Sequence, residues 1–385
     1  MLICFYGYER SVLKINLVLV TIILSICLGS CKIKQQSIDS PYPKSPVIES
    51  IKWEFTNIIR LALGSDLWPV TWAADDNIYT SWGDGVGFGA IDWKEQGGKD
   101  RSSLGFSRIE GMPPNITAIN VWGGKNPENP ATFDGKSPSI ISVDGTIYGW
   151  LNIQNDPNFW DYQLIWSSNL GKTWHKANWK FSSGRGKFFP QSFLNFQKDY
   201  TGSRDDFVYF YGREWGDKFS DGVAVFLGRV NKEKIKNRNA YEFFMGLDLN
   251  RRPQWTTDIN RRKPVLMDQN GIITSSVIFN QAIKRYIMTT CRGMVGQLGI
   301  FDAPEPWGPW TTIAYYNNWG GFEGAGLFYH FPTKWISSDG KTMWCIFSST
   351  GKLDSFNLIK ATLKIKKEPI VYNVFQKNFL VTKNN

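Results

Sequence analysis

Short runs of β-branched and aromatic residues, each bounded by turn signals such as Asp-Gly, Asn-Gly and Gly-Lys, recur along the chain from about Trp53 to Lys366. That pattern predicts many short antiparallel strands, and no long amphipathic helical period competes with it. Five pieces, DDNIYTSWGD, SVDGTIYGWLN, DDFVYFYGREW, KRYIMTTC and SSDGKTMWCIFSS, place a turn or charged residues just before an aromatic-rich strand. Their spacing of several dozen residues suits blades, each a small twisted sheet buried against its neighbours, better than the hairpins of a small barrel. The expectation is an all-β chain with a single domain, a five-bladed β-propeller over residues 51–366. A two-sheet sandwich is the alternative, though sandwiches usually need fewer residues.

The start of the chain breaks this pattern. Arg10 and Lys14 precede the apolar run INLVLVTIILSICLGS, which ends on Leu28-Gly29-Ser30-Cys31, the spacing of a bacterial lipobox. A membrane-spanning anchor needs about 20 apolar residues and no small-residue ending. Residues 1–30 therefore read as a lipoprotein signal peptide, with Cys31 as the lipidated first residue of an exported cell-envelope protein tied to a membrane by that lipid. Residues 31–50, polar and carrying Pro41, Pro43 and Pro46, read as a flexible tether, and residues 367–385 as a C-terminal tail.

Cysteine and charge add little beyond this. Cys4 and Cys27 leave with the leader and Cys31 takes the lipid, so Cys291 and Cys345 remain, either paired or as buried thiols. The formal charge is +10, and loss of Glu9, Arg10 and Lys14 with the leader takes one unit away. A basic surface favours anionic partners such as acidic glycans or a membrane face, and export argues against nucleic acid. The lysines of NKEKIKNRN and KIKKEP serve equally well to solvate the surface. A monomer is expected.

Two local motifs bear on the fold. Ser167-Ser168-Asn169-Leu170-Gly171-Lys172-Thr173-Trp174 resembles the Asp-box turn of sialidase-like propellers, with Asn in the usual Asp position. Ser337-Ser338-Asp339-Gly340-Lys341-Thr342-Met343-Trp344 resembles a shortened version. In such a turn a side-chain oxygen binds loop amides while the Trp packs between sheets, a structural role.

A longer ordered set of segments points to a family. It comprises Gly64-Ser65-Asp66-Leu67-Trp68-Pro69-Val70-Thr71-Trp72; Asp76-Asn77-Ile78-Tyr79; Trp82-Gly83-Asp84-Gly85-Val86-Gly87-Phe88-Gly89; Phe193-Leu194-Asn195-Phe196 with Asp199 through Tyr209; Glu305-Pro306-Trp307-Gly308-Pro309-Trp310; and Pro332-Thr333-Lys334-Trp335-Ile336-Ser337. With these the chain resembles a once-uncharacterised bacterial propeller family, some of whose members are endo-acting D-arabinanases. The resemblance implies a glycoside hydrolase fold with a polysaccharide substrate and leaves the sugar open.

Glycoside hydrolysis needs one carboxylic acid to protonate the leaving oxygen and one carboxylate as nucleophile or as base for water. It needs no histidine and no cofactor, which suits a chain with only His175 and His330, neither in a metal-like cluster. No P-loop, G-x-S-x-G elbow or Cys-x-x-Cys pair is present to support other chemistry. Asp66 and Asp84 are the leading candidates, set near glycines at the two ends of one expected hairpin and flanked by Trp68 and Trp82 as sugar-stacking rings. Turn capping by Asp66 and a Gly-Asp-Gly turn at Asp84 are the ordinary alternatives. Asp75, Asp76, Asp144 and Asp339 read as turn residues, and Arg204 with Asp205 or Asp206 as a structural ion pair.

Glu214 and Glu323, both in Gly-containing loops with aromatic neighbours, are the further acids, or else exposed loop charges. Arg213 and Lys334 suit an anionic substrate, although Arg213 serves equally to neutralise Glu214. Trp215 and Trp319 sit in loop segments beside Gly and count as possible sugar platforms, whereas Trp174 and Trp344 read as blade packing. Two other functions compete: a non-catalytic glycan-binding lipoprotein, which needs Trp platforms and no paired acids, and a polysaccharide lyase on an acidic glycan, for which Tyr329 and His330 are the only candidates.

Overall fold

The computed structural model describes residues 39–88, 102–124, 126–154, 160–216, 222–292, 296–321, 326–348 and 354–366. The first strands are β1 (Ile48–Trp53) and β2 (Ile59–Leu61). An antiparallel meander follows, β3 (Asp66–Trp72), β4 (Ile78–Gly83), β5 (Gly105–Met112) and β6 (Asn115–Gly123), and then a second, β7 (Lys136–Val143), β8 (Thr146–Gln154), β9 (Trp160–Ser167) and β10 (His175–Phe181). The third is β11 (Phe188–Asn195), β12 (Phe207–Glu214), β13 (Ala224–Asn231) and β14 (Tyr241–Leu247), extended by the short β15 (Pro253–Thr256) and β16 (Pro264–Met267). The fourth is β17 (Thr274–Asn280), β18 (Arg285–Cys291), β19 (Leu298–Ala303) and β20 (Thr311–Tyr315). The last consists of β21 (Phe328–His330), β22 (Thr342–Ser348) and β23 (Phe356–Ile365), and β1 completes it from the other end of the chain.

The first strand of each meander lies innermost. β3 packs on β7, β7 on β11, β11 on β17, β17 on β21 and β21 back on β3, which closes a ring. The domain is a β-propeller of five such blades. The five aromatic pieces of the sequence become β4, β8, β12, β18 and β22, the second strand of every blade. These strands have ladder partners on both sides and neighbouring blades on both faces, so β4 and β18 are buried at every position and read as near-continuous apolar runs.

The inner strands are different. They crowd the axis and carry small, polar or proline residues, as in DLWPVTW, KSPSIISV and TSSVIFN. Pro69, Pro138 and Pro190 lie at or within register shifts of β3, β7 and β11. A proline cannot donate to a ladder, and a bulge on a strand with an open edge accommodates it. Aromatic and aliphatic side chains fill the spaces between blades, for example Phe106 stacked on Trp174 at 3.8 Å between the first two. Polar side chains then fasten blade to blade near the axis: Ser81 Oγ donates to Ser137 O at 2.5 Å, Phe193 N to Ser139 Oγ at 2.7 Å, Gln191 Nε2 to Ile273 O at 2.6 Å and Thr289 Oγ1 to Tyr329 O at 2.7 Å.

Two expectations change or are refined. The domain begins earlier than residue 51, because the proline segment given to the tether runs along the edge strand β20. There Thr312 N donates to Pro43 O at 2.7 Å, Ser45 N donates to Thr312 O at 2.8 Å, and Ile48 is buried. An edge strand offers free amides and carbonyls, and an extended segment takes them up. Cys291 and Cys345 form no disulfide; both are buried, and burial pushes the Cys345 thiol well up. Residues 1–38, with Cys31, and residues 367–385 lie outside the described residues.

Candidate active site at the start of the inner strands

Asp66 opens β3 and stands opposite Gly83 at the end of β4; Asp84 follows in a turn with φ 58°. The next two residues of β3, Leu67 and Trp68, form a bulge with φ 79° and 58°, a conformation that costs about 1–3 kcal/mol per non-glycine residue and persists only where the surroundings enforce it. Here they do. Trp68 is fully buried between the first and last blades and donates Nε1 to Ser65 O at 3.1 Å. His330 of β21 holds Leu67 O with Nε2 at 3.1 Å. A carbonyl only accepts, so this nitrogen carries the ring proton, and burial pushes the His330 pKa down to about 4.

Lys136, the first residue of β7, reaches the same corner from the second blade. Its Nζ forms an ion pair with Asp84 Oδ1. Lys136 Nζ and Asp66 Oδ1 lie 2.8 and 3.0 Å from the point a Cβ on Gly83 would occupy, so three charged groups converge over bare backbone. The Asp84 side chain is 41% exposed and faces solvent, whereas Lys136 Nζ and Asp66 Oδ1 are shielded from it, so Asp84 is the solvent-facing member of the group. Two carboxylates grouped at one end of the inner strands have the composition that acid-assisted hydrolysis of a glycosidic bond requires. Beside them Lys136 faces Asn152 in the ladder, Asn152 bonds the Tyr162 hydroxyl, and Tyr162 lies near Arg213.

The other candidates fall elsewhere. Trp68, Trp82, Trp215 and Trp319 are all buried, at most 2% exposed, so none offers a ring to a sugar. Trp82 donates Nε1 to Ser107 Oγ at 2.8 Å, Trp215 packs on Phe189 at 4.5 Å, and Trp319 sits edge-on to Phe347 at 4.8 Å. In each case the spaces between blades claim the ring, because a flat indole fills such a gap. Arg213 is buried as well, donating to Ile272 O and lying over the Phe189 ring, and desolvation lowers its pKa to about 10. Glu214, 41% exposed, is bound by Arg262 at 2.5 Å. Lys334 lies at the opposite end of β3, where it pairs with Asp76 in the β3–β4 turn. Glu323 lies outside the described residues.

The turn and motif readings agree with the contacts. Asp75 accepts from Asn77 N at 3.2 Å, and Trp72 Nε1 at 2.9 Å together with Lys334 holds the Asp76 carboxyl below its usual range. Asn169 accepts from Thr173 N at 3.0 Å while Trp174 packs between blades. Tyr329 and His330 do not form a proton-abstracting pair: strand alternation sends Tyr329 into the core of the last two blades, and both side chains are buried. Sequence reasoning missed Lys136. Its place after the turn residues Asp134 and Gly135 is readable, but its reach to another blade depends on the ring. Among the described residues no group of three His, Cys, Asp or Glu side chains is placed to hold a metal ion.

The model of a family described as "Domain of unknown function (DUF4185)" matches residues 118–360. No curated protein matches the sequence. Among solved structures the chain is similar to a GH43_1 enzyme from Xanthomonas citri, with 12% identity, 80% of this chain and 92% of that one covered, and a TM-score of 0.48. It is also similar to a GH43 β-xylosidase/α-arabinofuranosidase from a compost microbial metagenome, with 13% identity, 84% and 99% coverage and a TM-score of 0.43. A protein of unknown function from Dyadobacter fermentans aligns with 8% identity, 82% and 100% coverage and a TM-score of 0.45.

Proposed function

Since the chain belongs to the DUF4185 family, a domain of unknown function, we propose that it is a glycoside hydrolase of the cell envelope that cleaves a polysaccharide, with an endo-D-arabinanase-like activity. The observation that carries this reading is the gathering of Asp66, Asp84 and Lys136 over Gly83 at the start of the inner strands, with Asp84 facing solvent. One carboxyl group would protonate the leaving oxygen while the other acts on the anomeric carbon or on water. The resemblance to a propeller family with D-arabinanase members supports the sugar class. Incubation with D-arabinan, other arabinans, acidic glycans and mucin-type glycans, followed by chromatography, tests the proposal: new reducing ends from D-arabinan are expected. Retention of glycan without products would replace hydrolysis by binding, and unsaturated uronates would replace it by elimination.

The same reading includes a lipid anchor on Cys31, supported by the LGSC ending of the apolar leader. Cys31→Ser should release the protein from membranes or leave the leader uncleaved. Membrane fractionation and processing identical to wild type would remove the anchor from the proposal.

A further inference from the structure

Asp66 and Asp84 come from one hairpin, but the lysine beside them does not. Lys136 belongs to β7 of the next blade, where a register shift follows it immediately. Bulges re-aim side chains, and β3 carries its own just after Asp66. Between them stands Gly83. A side chain there would meet Lys136 Nζ at 2.8 Å, Lys136 Cδ at 2.9 Å and Asp66 Oδ1 at 3.0 Å. Gly83 keeps a negative φ, so its value at this position is space rather than conformation. Blade-to-blade registration is fixed close by, where Ser81 Oγ donates to Ser137 O at 2.5 Å, so the lysine backbone is held relative to the hairpin.

We propose that Lys136 is a positioning residue for the Asp66–Asp84 pair, crossing from the second blade over the bare backbone of Gly83 to hold Asp84 by their ion pair beside Asp66. This rests on the glycosidase reading given above and assigns the pair's geometry to a neighbouring blade. A charge that fixes the orientation of a reacting group acts on turnover, since a misplacement of about 1 Å there can cost about 10²-fold.

The test uses the intact protein and D-arabinan. Lys136→Met should lower kcat by about 10²-fold with KM nearly unchanged, Lys136→Arg should recover part of the loss, and Gly83→Ala, whose Cβ would crowd both the lysine end and Asp66 Oδ1, should lower kcat as well. Asp66→Asn and Asp84→Asn are measured beside them. If those two are inactive while Lys136→Met turns over like wild type, the positioning role is overturned and the glycosidase reading stands. If both Asn variants turn over normally, both fall. A readout independent of turnover is zero-length carbodiimide cross-linking: wild type should yield an amide joining the Lys136 peptide to the Asp84 or Asp66 peptide, found by mass spectrometry. Its absence overturns the proposal, as does a loss of kcat in Lys136→Arg equal to that in Lys136→Met.

Discussion

The two ends of the β3–β4 hairpin each carry two aspartates, and the chain uses them in different ways. At the turn, Asp75 and Asp76 accept from groups of their own hairpin, Asn77 N, the Tyr79 hydroxyl and Trp72 Nε1, and Asp76 is further held by Lys334. At the open end, Asp66 faces Gly83 across the ladder, Asp84 follows in the turn, and Lys136 from another blade pairs with Asp84 close to Asp66. A carboxylate absorbed by local amides is a turn device, because its lone pairs are committed to shaping backbone. A carboxylate that faces solvent and is held by one long side chain, as Asp84 is by Lys136, can exchange partners with a ligand. The contrast separates structure from chemistry within one hairpin.

The largest effect expected from that contrast lies at the open end. Asp66→Asn and Asp84→Asn should each cut turnover on the cleaved glycan by about 10²–10⁴-fold while the fold persists, since Asn keeps the shape and cannot shuttle a proton. Asp76→Asn, at the turn end, should leave turnover within a factor of about two. Steady-state kinetics on the three variants, with melting curves as control, decides it. Comparable losses at both ends would dissolve the distinction.

Next in size is the packing that carries the hairpin. Trp82→Ala should destabilise the domain by about 3–5 kcal/mol, because the ring is fully buried and its Nε1 is bonded to Ser107. A sugar-binding role would instead leave stability intact and raise KM, so denaturant melts with kinetics distinguish the two.

How much of this was legible in the sequence follows from burial. The second strands β4, β8, β12, β18 and β22 announce themselves because they are covered on both faces and follow tight turns, as in Asp144-Gly145 before β8. The inner strands do not, because crowding at the axis selects small polar residues and Pro over the residues that mark a strand, as in β7 and β17. The carboxylates Asp66 and Asp84 were readable from their glycine neighbours. Lys136 was not, since its partners lie more than one strand away in sequence and meet it only when the ring closes. The tryptophans misled for a related reason: Trp319, in the polar string Asn-Asn-Trp-Gly-Gly, looks exposed, yet Trp53, Phe55, Tyr329 and Phe347 enclose it.

A smaller and pH-dependent effect is expected where the last blade grips the first. His330 is neutral in the folded protein down to about pH 4, whereas in the unfolded chain it takes a proton near its ordinary value of about 6.5. Unfolded chains thus bind more protons between these values. Stability from this residue is fully present above about pH 6.5 and falls as pH drops toward about 4, with a slope of up to about 1.4 kcal/mol per pH unit. His330→Gln, able to donate to Leu67 O, should flatten that part of the stability curve in urea melts run across the range. An unchanged acid slope would mean that another group controls it.

The smallest effect belongs to the turn between β9 and β10, the furthest from the mouth in kind. Asn169 Oδ1 accepts from Ser167 Oγ at 2.9 Å and Thr173 N at 3.0 Å, while its Nδ2 donates to Thr173 Oγ1 at 2.9 Å. The residue is exposed, so water replaces much of what a substitution removes, and Asn169→Ala should cost only about 1 kcal/mol. Asn169→Asp keeps both acceptor contacts and can take a proton donor from the Thr173 hydroxyl in place of its lost amide bond. It should therefore fall within about 0.5 kcal/mol of wild type, and turnover should be unchanged in both variants. Denaturant melts and glycan turnover check this together. A turnover loss in Asn169→Ala without a matching loss of stability would mean that the turn communicates with the mouth, and the division of the molecule into shaping and reacting carboxylates would have to be redrawn.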